Sequence, residues 1–292
     1  MPAEPVREAP AATDLVRLPS RREIVATEPD PRPGDVDEWG RSDRMRALAR
    51  LLYGPVYRNW FRVEWEGLEK IPAGGGALLI ANHAGAIPSD APVIMHGIEE
   101  ELERPVYGLA DHLFRAIPFI GTMWSRVGGV PAHPANAYRL LREQHQLVLV
   151  FPEGTKGTGK LYRDRYQLRR FGRGGFVEIA MRAGVPVVPI AVVGSEEAMP
   201  VVARVPVVDR VLGLPYVPVT PNQFLFGPLL GSILPLPAKF RLRVLDPVHF
   251  DVPPDQARYS RGLVMEEADV IRARLQDTIF DMLRDRHNVW TG

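Results

Sequence analysis

The stretch that decides the fold covers residues 184–193 and has the sequence GVPVVPIAVV. Its glycine, followed closely by a proline, is typical of a point where a helix ends and a new element begins. The residues from Val187 to Val193 are apolar on both faces of an extended chain, as a strand in the middle of a sheet requires. The stretch therefore predicts a buried central strand at 185–193 with a helix immediately before it.

Four other short apolar runs, each bounded by turn residues, predict further strands at 77–81, 106–110, 147–151 and 240–245. Helical spacing of apolar residues predicts helices at 134–143 and 171–183, and a last helix with apolar positions from Val264 to Leu283. Strands that alternate with helices predict a layered α/β domain. Because the chain has no internal repeat and no second change of composition, we expect one domain from about residue 40 onward.

The composition of the 292-residue chain excludes several classes of site. It contains no cysteine, which rules out disulfide scaffolds, cysteine nucleophiles, iron–sulfur clusters and thiolate zinc sites. Its 36 basic and 35 acidic residues give a formal net charge of +1, so the overall charge does not indicate a nucleic acid partner. Without a secretory signal pattern or an apolar run of helical length, we expect a cytoplasmic protein that does not span the membrane.

The N-terminal region divides into two parts. Residues 1–38 combine nine acidic and five basic side chains with seven prolines and few large apolar groups, which predicts a disordered tail. Residues 39–62 place apolar side chains at helical spacing and arginines on the other faces, which predicts an amphipathic helix. This helix either packs on the core or lies in a membrane interface, and the aromatic residues beside its arginines favour the interface.

Residues 211–238 form a run of 28 residues without a charged side chain. The six prolines of this run exclude a spanning helix, because each removes a backbone donor that hydrocarbon cannot replace. Two interpretations stay open: a long loop of the fold, or an apolar surface that inserts into lipid or lines a groove for an acyl chain.

Chemically active side chains follow the strand predicted at 77–81. Asn82 and His83 come directly after it, and Asp90 stands at a predicted helix start beyond a short loop with glycine and proline. Open α/β sheets bind ligands at the carboxyl ends of their strands. A carboxylate that folds back onto the imidazole would fix its tautomer and stabilise the imidazolium, so His83 is a candidate general base. The alternative is a structural histidine.

A second motif, FPEGTKG at 151–157, begins at the end of the next buried strand. Its glycines allow the backbone to approach a ligand, Thr155 adds a hydroxyl group, and Lys156 supplies a positive charge for a phosphate. The spacing matches neither a Walker loop nor a dinucleotide fingerprint. A glycine-rich turn with a surface lysine is therefore the alternative.

Taken in order, the motifs NH at 82–83 with Asp90, FPEGT at 151–155 and VPVVPI at 185–190 resemble those of the glycerolipid acyltransferases. This is the superfamily of lysophosphatidic-acid and glycerol-3-phosphate acyltransferases, and the resemblance covers roughly residues 60–250. It implies an α/β fold with a mixed sheet flanked by helices and an N-terminal amphipathic helix. It also implies an acyltransferase domain over 63–288.

The resemblance implies roles for individual residues. His83 and Asp90 would form the catalytic pair, and no metal would be needed. The residues that would bind the acyl acceptor are Glu153, Gly154, Thr155 and Lys156. Six residues separate His83 from Asp90, where the family usually has four, as in a sub-branch that includes diacylglycerol-acyltransferase-like members. His133 stands where the family often has a phosphate-binding arginine, so we expect Asn82 and His133 either to contact the acceptor or to be structural.

The implied activity is transfer of a fatty acyl group from acyl-CoA, or from acyl carrier protein, to a hydroxyl group of a lysophospholipid or related glycerolipid. Acyl-CoA would be a co-substrate, and no other cofactor is expected. Two alternatives stay open: an acyltransferase for a neutral lipid or glycolipid, and a non-catalytic lipid-binding protein of the same fold. We expect peripheral attachment to the cytoplasmic face of the cell membrane.

Overall fold

The computed structural model describes residues 34–110, 120–204 and 217–292. Its strands are β1 (Glu64–Glu66), β2 (Ala77–Ala81), β3 (Val106–Ala110), β4 (Gly129–Pro131), β5 (Leu147–Val150), β6 (Val187–Val193), β7 (Ala203–Arg204), β8 (Pro218–Val219) and β9 (Arg241–Val244). Its α-helices are α1 (Asp43–Pro55), α2 (Asp90–Leu102), α3 (Ile120–Arg126), α4 (Pro134–Tyr138), α5 (Thr155–Thr158), α6 (Gly175–Ala183), α7 (Ser195–Ala198), α8 (Pro221–Phe226) and α9 (Arg261–Arg284).

Seven of the strands form one sheet in the order β1-β9-β6-β2-β5-β3-β4. Strands β6 and β9 pair antiparallel, and the other neighbours in this sheet pair parallel. The predicted α/β fold with a mixed sheet flanked by helices is confirmed. Because β2, β5, β3 and β4 run in the same direction, the loops that follow them meet at one edge of the sheet, which we call the carboxyl edge.

Strand β2 lies at the centre of the sheet and contributes to two apolar cores. Leu78 and Ile80 face the core that also contains side chains of α6 and α9. Leu79 faces the opposite core, which includes side chains of α2. Every residue of β2 is buried, so the strand that leads to His83 is covered on both faces.

Most of the predicted elements are present, with shifted ends. The strands at 77–81 and 106–110 have the predicted bounds, and those at 147–151, 185–193 and 240–245 are shorter. The helix predicted at 171–183 begins only at Gly175, because Gly174 has a φ of +76° and interrupts the helical backbone. The helix predicted at 134–143 is α4 followed by a π-type turn.

The amphipathic helix predicted at 39–62 is α1, which continues into a π-type turn at Val56–Trp60. The side chain of Ser42 caps α1 by accepting a hydrogen bond from the amide of Met45 at 3.1 Å. Of the predicted tail, residues 1–33 lie outside the described residues. Asp37, near its end, accepts a hydrogen bond from the hydroxyl of Tyr107 at 2.6 Å. Among the helices of the described ranges, none combines the length and apolar composition needed to cross a bilayer.

The uncharged run is described from residue 217 onward, and its first residues, 211–216, lie outside the described residues. It forms β8, α8 and a 3-10 turn at Leu230–Ser232. The buried amide of Asn222 donates hydrogen bonds to the carbonyls of Ala198 at 3.1 Å and Leu234 at 2.8 Å. The base of this segment is therefore tied to the loop that follows β6.

Candidate active site

His83 is the second residue after β2, and Asp90 is the first residue of α2. Nδ1 of His83 lies 3.1 and 3.0 Å from the two carboxylate oxygens of Asp90. Because a carboxylate only accepts, this contact places the proton on Nδ1 and leaves Nε2 with a free lone pair. The Asp90 side chain is fully buried, whereas 14% of the His83 side chain is exposed. The pair has the arrangement of a general base with a carboxylate partner.

Backbone donors fix the carboxylate of Asp90. The amide of Ala84 donates to Oδ2 at 3.0 Å, and the amide of Ala91 donates to Oδ1 at 2.7 Å. The helix dipole of α2 also favours a negative charge at this first position. The intervening loop is held by Ser195, whose hydroxyl donates to the carbonyl of Ala84 at 3.0 Å. The six-residue spacing therefore closes into a defined loop that returns Asp90 to His83.

Phe151, at the end of β5, supports the other side of the imidazole. Its ring stacks on that of His83 with centroids 4.0 Å apart and an interplanar angle of 18°. Strand β5 is the parallel neighbour of β2, which brings the two residues together. Stacking and the bond to Asp90 together determine the orientation of the imidazole ring.

Glu153 faces the interior of the protein. Its Oε1 accepts a hydrogen bond from the amide of His83 at 3.2 Å, and its Oε2 accepts one from the amide of Arg169 at 2.7 Å. Nζ of Lys160 lies 3.6 Å from the same Oε2, and both side chains are buried. The carboxylate of Glu153 therefore contacts the backbone of His83 and an internal cation.

Lys160 also bridges to the loop that follows β6. Its Nζ lies 3.3 Å from Oε1 of Glu196, which is buried as well. Burial raises the pKa of Glu196 to about 7, although the positive charge of Lys160 opposes that rise. The buried ammonium group of Lys160 thus pairs with two carboxylates, Glu153 after β5 and Glu196 after β6.

Three consecutive residues of the FPEGTKG motif lie at the surface. Gly154, Thr155 and Lys156 are exposed, and Gly154 has a φ of +55°, which favours glycine. A side chain added at Gly157 would place its Cβ 2.6 Å from the carbonyl oxygen of His83. The backbone of α5 therefore packs directly on His83. Lys156, one residue away, forms no ion pair within the described residues.

The side chain of Asn82 is bonded to the backbone of β6. Its side chain accepts a hydrogen bond from the amide of Val192 at 2.8 Å and donates one to the carbonyl of Val192 at 2.9 Å. This double contact extends the pairing of β2 with β6 by one step beyond the backbone ladder. The side chain is buried, and its position is structural.

His133 follows β4 and caps the short helix α4. Its Nδ1 accepts a hydrogen bond from the amide of Ala135 at 3.2 Å, and the residue is exposed. In the strand order, β4 is three positions from β2, a separation of about 14 Å at the usual strand spacing. The structure therefore does not bring His133 together with His83 and Asp90.

The sequence analysis missed several residues that support the site. It did not assign a contact to Phe151 with His83, and it did not single out Lys160 or Glu196. No local feature of the sequence identifies Lys160 or Glu196, because charged residues are usually solvated.

Comparisons with known proteins relate this chain to a family. The family described as Acyltransferase matches residues 62–193. A protein of Mycobacterium tuberculosis is 38% identical over 260 residues, which are 88% of this chain and 72% of that protein. The human "DGAT1/2-independent enzyme synthesizing storage lipids" is 27% identical over 209 residues, which are 72% of this chain and 60% of that protein.

Among solved structures, the 1-acyl-sn-glycerophosphate (LPA) acyltransferase PlsC from Thermotoga maritima matches with a TM-score of 0.48 and 18% identity. The match covers 79% of this chain and 78% of that chain. The range matched by the family contains β2, β5 and β6 together with His83, Asp90 and the FPEGTKG motif. Since the mycobacterial likeness extends along most of both proteins, this chain belongs to the Acyltransferase family, within the glycerolipid acyltransferase superfamily that its motifs resemble.

Proposed function

We propose that this protein transfers a fatty acyl group from a thioester, acyl-CoA or acyl carrier protein, to a hydroxyl group of a lysophospholipid or related glycerolipid. The main support is the pairing of His83 with the buried carboxylate of Asp90 at the carboxyl edge of the sheet. An exposed loop with Lys156 lies directly beside this pair. A base and an adjacent cation suit the acylation of a hydroxyl on an anionic lipid.

In the proposed reaction, Nε2 of His83 takes the proton of the acceptor hydroxyl while the hydroxyl oxygen attacks the thioester carbonyl. A C–O bond forms, and the C–S bond breaks when the tetrahedral intermediate collapses. The imidazolium then returns its proton to the departing thiolate. Asp90 stabilises the imidazolium between these two steps. Atoms and charge balance without a covalent enzyme intermediate.

The geometry separates two roles within the FPEGTKG motif. The buried carboxylate of Glu153 contacts the backbone of His83, so we assign it to positioning of the base. The exposed Gly154, Thr155 and Lys156 are the part of the motif that a substrate can reach. In this proposal, Lys156 binds the phosphate of the acceptor and the glycine allows the backbone to approach it.

Lys156→Ala is expected to raise the acceptor KM more than it lowers kcat, because a contact with a distant phosphate stabilises ground and transition states alike. Loss of one charge-assisted contact costs about 1.5–3 kcal/mol, or roughly 10- to 150-fold in kcat/KM. The measurement is steady-state transfer of radiolabelled acyl groups to lysophosphatidate and to its dephosphorylated analogue. The effect should disappear with the dephosphorylated analogue.

Lys70→Ala is the matched control for this experiment. Lys70 is also at the surface, where its Nζ lies 2.8 Å from Oδ1 of Asp246. It follows β1, which runs antiparallel to β2, so it lies at the opposite edge of the sheet from His83. An equal loss with both acceptors in Lys156→Ala would contradict the phosphate contact and favour a role in donor binding or folding.

A neutral acceptor is the second candidate. His133 is distant from His83 and caps its own helix, so it does not add a second phosphate contact beside Lys156. The human relative is described as synthesizing storage lipids, and an Arabidopsis thaliana relative is phytyl ester synthase 2. Transfer to diacylglycerol or a long-chain alcohol, with none to lysophosphatidate, would favour this candidate. Lipid binding without any transfer would favour a non-catalytic protein.

We also propose that the protein binds peripherally to the cytoplasmic face of the membrane through two adjoining surfaces. Leu51 on helix α1 is 72% exposed to solvent. In the uncharged run, Phe224 is 81% exposed and Leu229 is 79% exposed. The indole nitrogen of Trp60, just beyond α1, donates to the carbonyl of Pro235 at 3.1 Å. The two surfaces are therefore neighbours, and adjoining exposed apolar side chains of this kind are typical of an interaction site.

Charge on α1 suits an anionic bilayer. Arg44 and Arg50 are exposed, whereas Arg46 pairs with Glu99 inside the protein. An arginine near an anionic surface contributes about 1 kcal/mol of attraction. Phe61 does not belong to this surface, since it is buried against Phe240 with ring centroids 4.6 Å apart. The exposed leucines of α1 are thus the apolar groups available to lipid.

Leu51→Ser combined with Phe224→Ser is expected to weaken binding to anionic vesicles at least tenfold, because burying one large apolar side chain contributes about 1.5–3 kcal/mol. Flotation with vesicles of phosphatidylcholine and phosphatidylglycerol measures the bound fraction. Val270→Ser, on the exposed side of α9, is the matched control. Unchanged flotation of the double variant would show that these side chains do not contact lipid.

A further inference from the structure

A cleft lined by aromatic and charged side chains lies at the carboxyl edge, on the far side of β6 from β5. It is open to solvent, has a volume of about 440 Å³, and is bounded by the 162–167 loop, the start of α7 and the C-terminal end of α9. The side chains that give it its chemical character are Tyr162, Arg163, Arg165, Glu197, Phe280 and Arg286. No residue of the pair described above lines it.

The charge of this cleft is positive. Three arginines line it against one carboxylate, Glu197. That carboxylate is occupied within the protein, because it accepts hydrogen bonds from Nη1 of Arg286 at 3.0 Å and from the hydroxyl of Tyr166. Arg286 is itself buried, and its Nη2 has no hydrogen-bond partner within the described residues. The cleft therefore keeps an excess of guanidinium donors.

The other two arginines are at the surface. Arg163 is exposed and forms no ion pair in the part of the chain that the structure describes. The guanidinium of Arg165 lies 4.6 Å from the ring centroid of Tyr162, which holds it at the wall of the cleft. Asp164, between them, pairs with Arg169 at 3.0 Å. A planar guanidinium donates two parallel hydrogen bonds to a phosphate group, so this set of residues matches a phosphate ester.

The cleft is connected to the catalytic pair through the interior. The amide of Tyr166, in the lining loop, donates to Oε1 of Glu196 at 3.1 Å. Glu196 contacts Lys160, which also contacts Glu153, and Glu153 accepts from the amide of His83. One buried ionic cluster thus supports both the lining of the cleft and the backbone of the base.

We propose that this cleft binds a phosphate ester carried either by the acyl donor or by a phospholipid of the membrane where the reaction takes place, a proposal that rests on the function proposed above. Arg163 and Arg165 contact the phosphate, and the rings of Tyr162 and Phe280 pack against the group attached to it. Two sources have this chemistry: the 3′-phosphorylated nucleotide of a coenzyme A thioester and the head group of a phospholipid. The site is distinct from the contact that we assign to Lys156.

The test is Arg163→Gln combined with Arg165→Gln, with Arg163→Gln alone as a variant that leaves the contact with Tyr162 intact. Arg258→Gln combined with Arg261→Gln is the matched control, since both are exposed and lie near the other end of α9, about 30 Å away along that 24-residue helix. One arm measures coenzyme A and adenosine 3′,5′-bisphosphate by titration calorimetry. The other measures flotation with phosphatidylcholine vesicles that contain or lack phosphatidate.

We expect the cleft variants to bind at least tenfold more weakly in one arm, the loss typical of one charge-assisted hydrogen bond, while the control pair binds like the wild type. A loss in the calorimetric arm assigns the cleft to the nucleotide, and a loss that requires phosphatidate assigns it to lipid. No wild-type binding in either arm, or equal binding by the cleft variants, overturns the proposal.

The outcome can be separated from that of the proposed function. His83→Ala should bind the cleft ligand like the wild type, because the imidazole does not line the cleft. Binding that depends on Arg163 and Arg165 would therefore support the cleft even if no acyl transfer were detected. Acyl transfer with unchanged binding by the cleft variants would support the proposed function and reject the cleft.

Discussion

His83→Ala is expected to lower kcat for acyl transfer by about 100- to 10,000-fold, the usual contribution of a general base. In the proposed reaction Nε2 of this imidazole receives the hydroxyl proton, while Nδ1 is bonded to Asp90. Because His83 is partly exposed and sits after β2, its removal should leave the sheet intact. Turnover by purified protein at saturating substrate, with circular dichroism as a check on folding, measures the effect. Near-wild-type turnover would reject the assignment.

Asp90→Asn is expected to lower kcat less than His83→Ala does and to change donor binding little. The carboxylate has one oxygen for the amide of Ala84 and another for the amide of Ala91. A carboxamide has a single oxygen, so it leaves one of these donors unpaired and no longer stabilises the imidazolium by charge. A variant with wild-type kcat would show that His83 acts without this partner.

Gly157→Ala is expected to lower kcat about 100-fold without abolishing folding, because misplacement of a catalytic group by about 1 Å has an effect of that size. The added methyl group would lie 2.6 Å from the carbonyl oxygen of His83, 2.9 Å from its Cβ and 3.0 Å from Cβ of Glu153. These are backbone atoms or atoms next to the backbone, so they cannot rotate away. The whole turn at His83 would have to shift relative to Asp90.

Gly175→Ala is the control for Gly157→Ala. Gly175 begins α6, and a Cβ added there meets no atom within 4 Å. This second variant should keep full activity and is expected to gain a little stability, since alanine favours a helix more than glycine does. If both variants retained wild-type kcat, the close contact between α5 and His83 would not determine the position of the base.

The elements that the sequence predicted well are those buried on both faces. Strands β2, β5 and β6 must be apolar throughout to lie between two cores, so their pattern is visible in the sequence. Strand β1 has the sequence EWE and lies at the edge of the sheet, where Glu66 pairs with Arg241 and Arg243 of β9. A three-residue polar strand of this kind has no apolar periodicity, and only its neighbour shows that it is a strand.

The site could be predicted in part for a similar reason. His83, Asp90 and the FPEGTKG motif follow strands that the pattern indicates, so their shared edge could be inferred. The buried cluster of Glu153, Lys160 and Glu196 could not, because Lys160 and Glu196 are separated by 36 residues and meet only when the segments after β5 and β6 fold together. Charged residues in a sequence are usually solvated, and nothing local distinguishes a buried ion pair from a surface one.

Helix α1 shows which features of a helix the spacing of apolar residues predicts and which it does not. The spacing of apolar residues predicts an amphipathic helix, and that helix is present. The spacing does not predict which face is buried: Leu48 and Leu52 are exposed, whereas Arg46 is buried in contact with Glu99 of α2. An ion pair between two helices can occupy a position that a pattern of hydrophobicity assigns to solvent.

The central position of β2 has a consequence for the biosynthesis of the protein. Asn82 is paired with Val192, which is translated 110 residues later. At about 5–20 residues per second, roughly 5 to 20 s pass between the appearance of the two residues at the ribosome. Throughout that interval the nascent chain has an apolar strand that lacks its neighbour β6 on one side, even after β5 has been made. We expect such chains to be clients of a chaperone that binds extended apolar segments, and translation that stops before Val193 to release a polypeptide that contains His83 and Asp90 but cannot assemble them into a base.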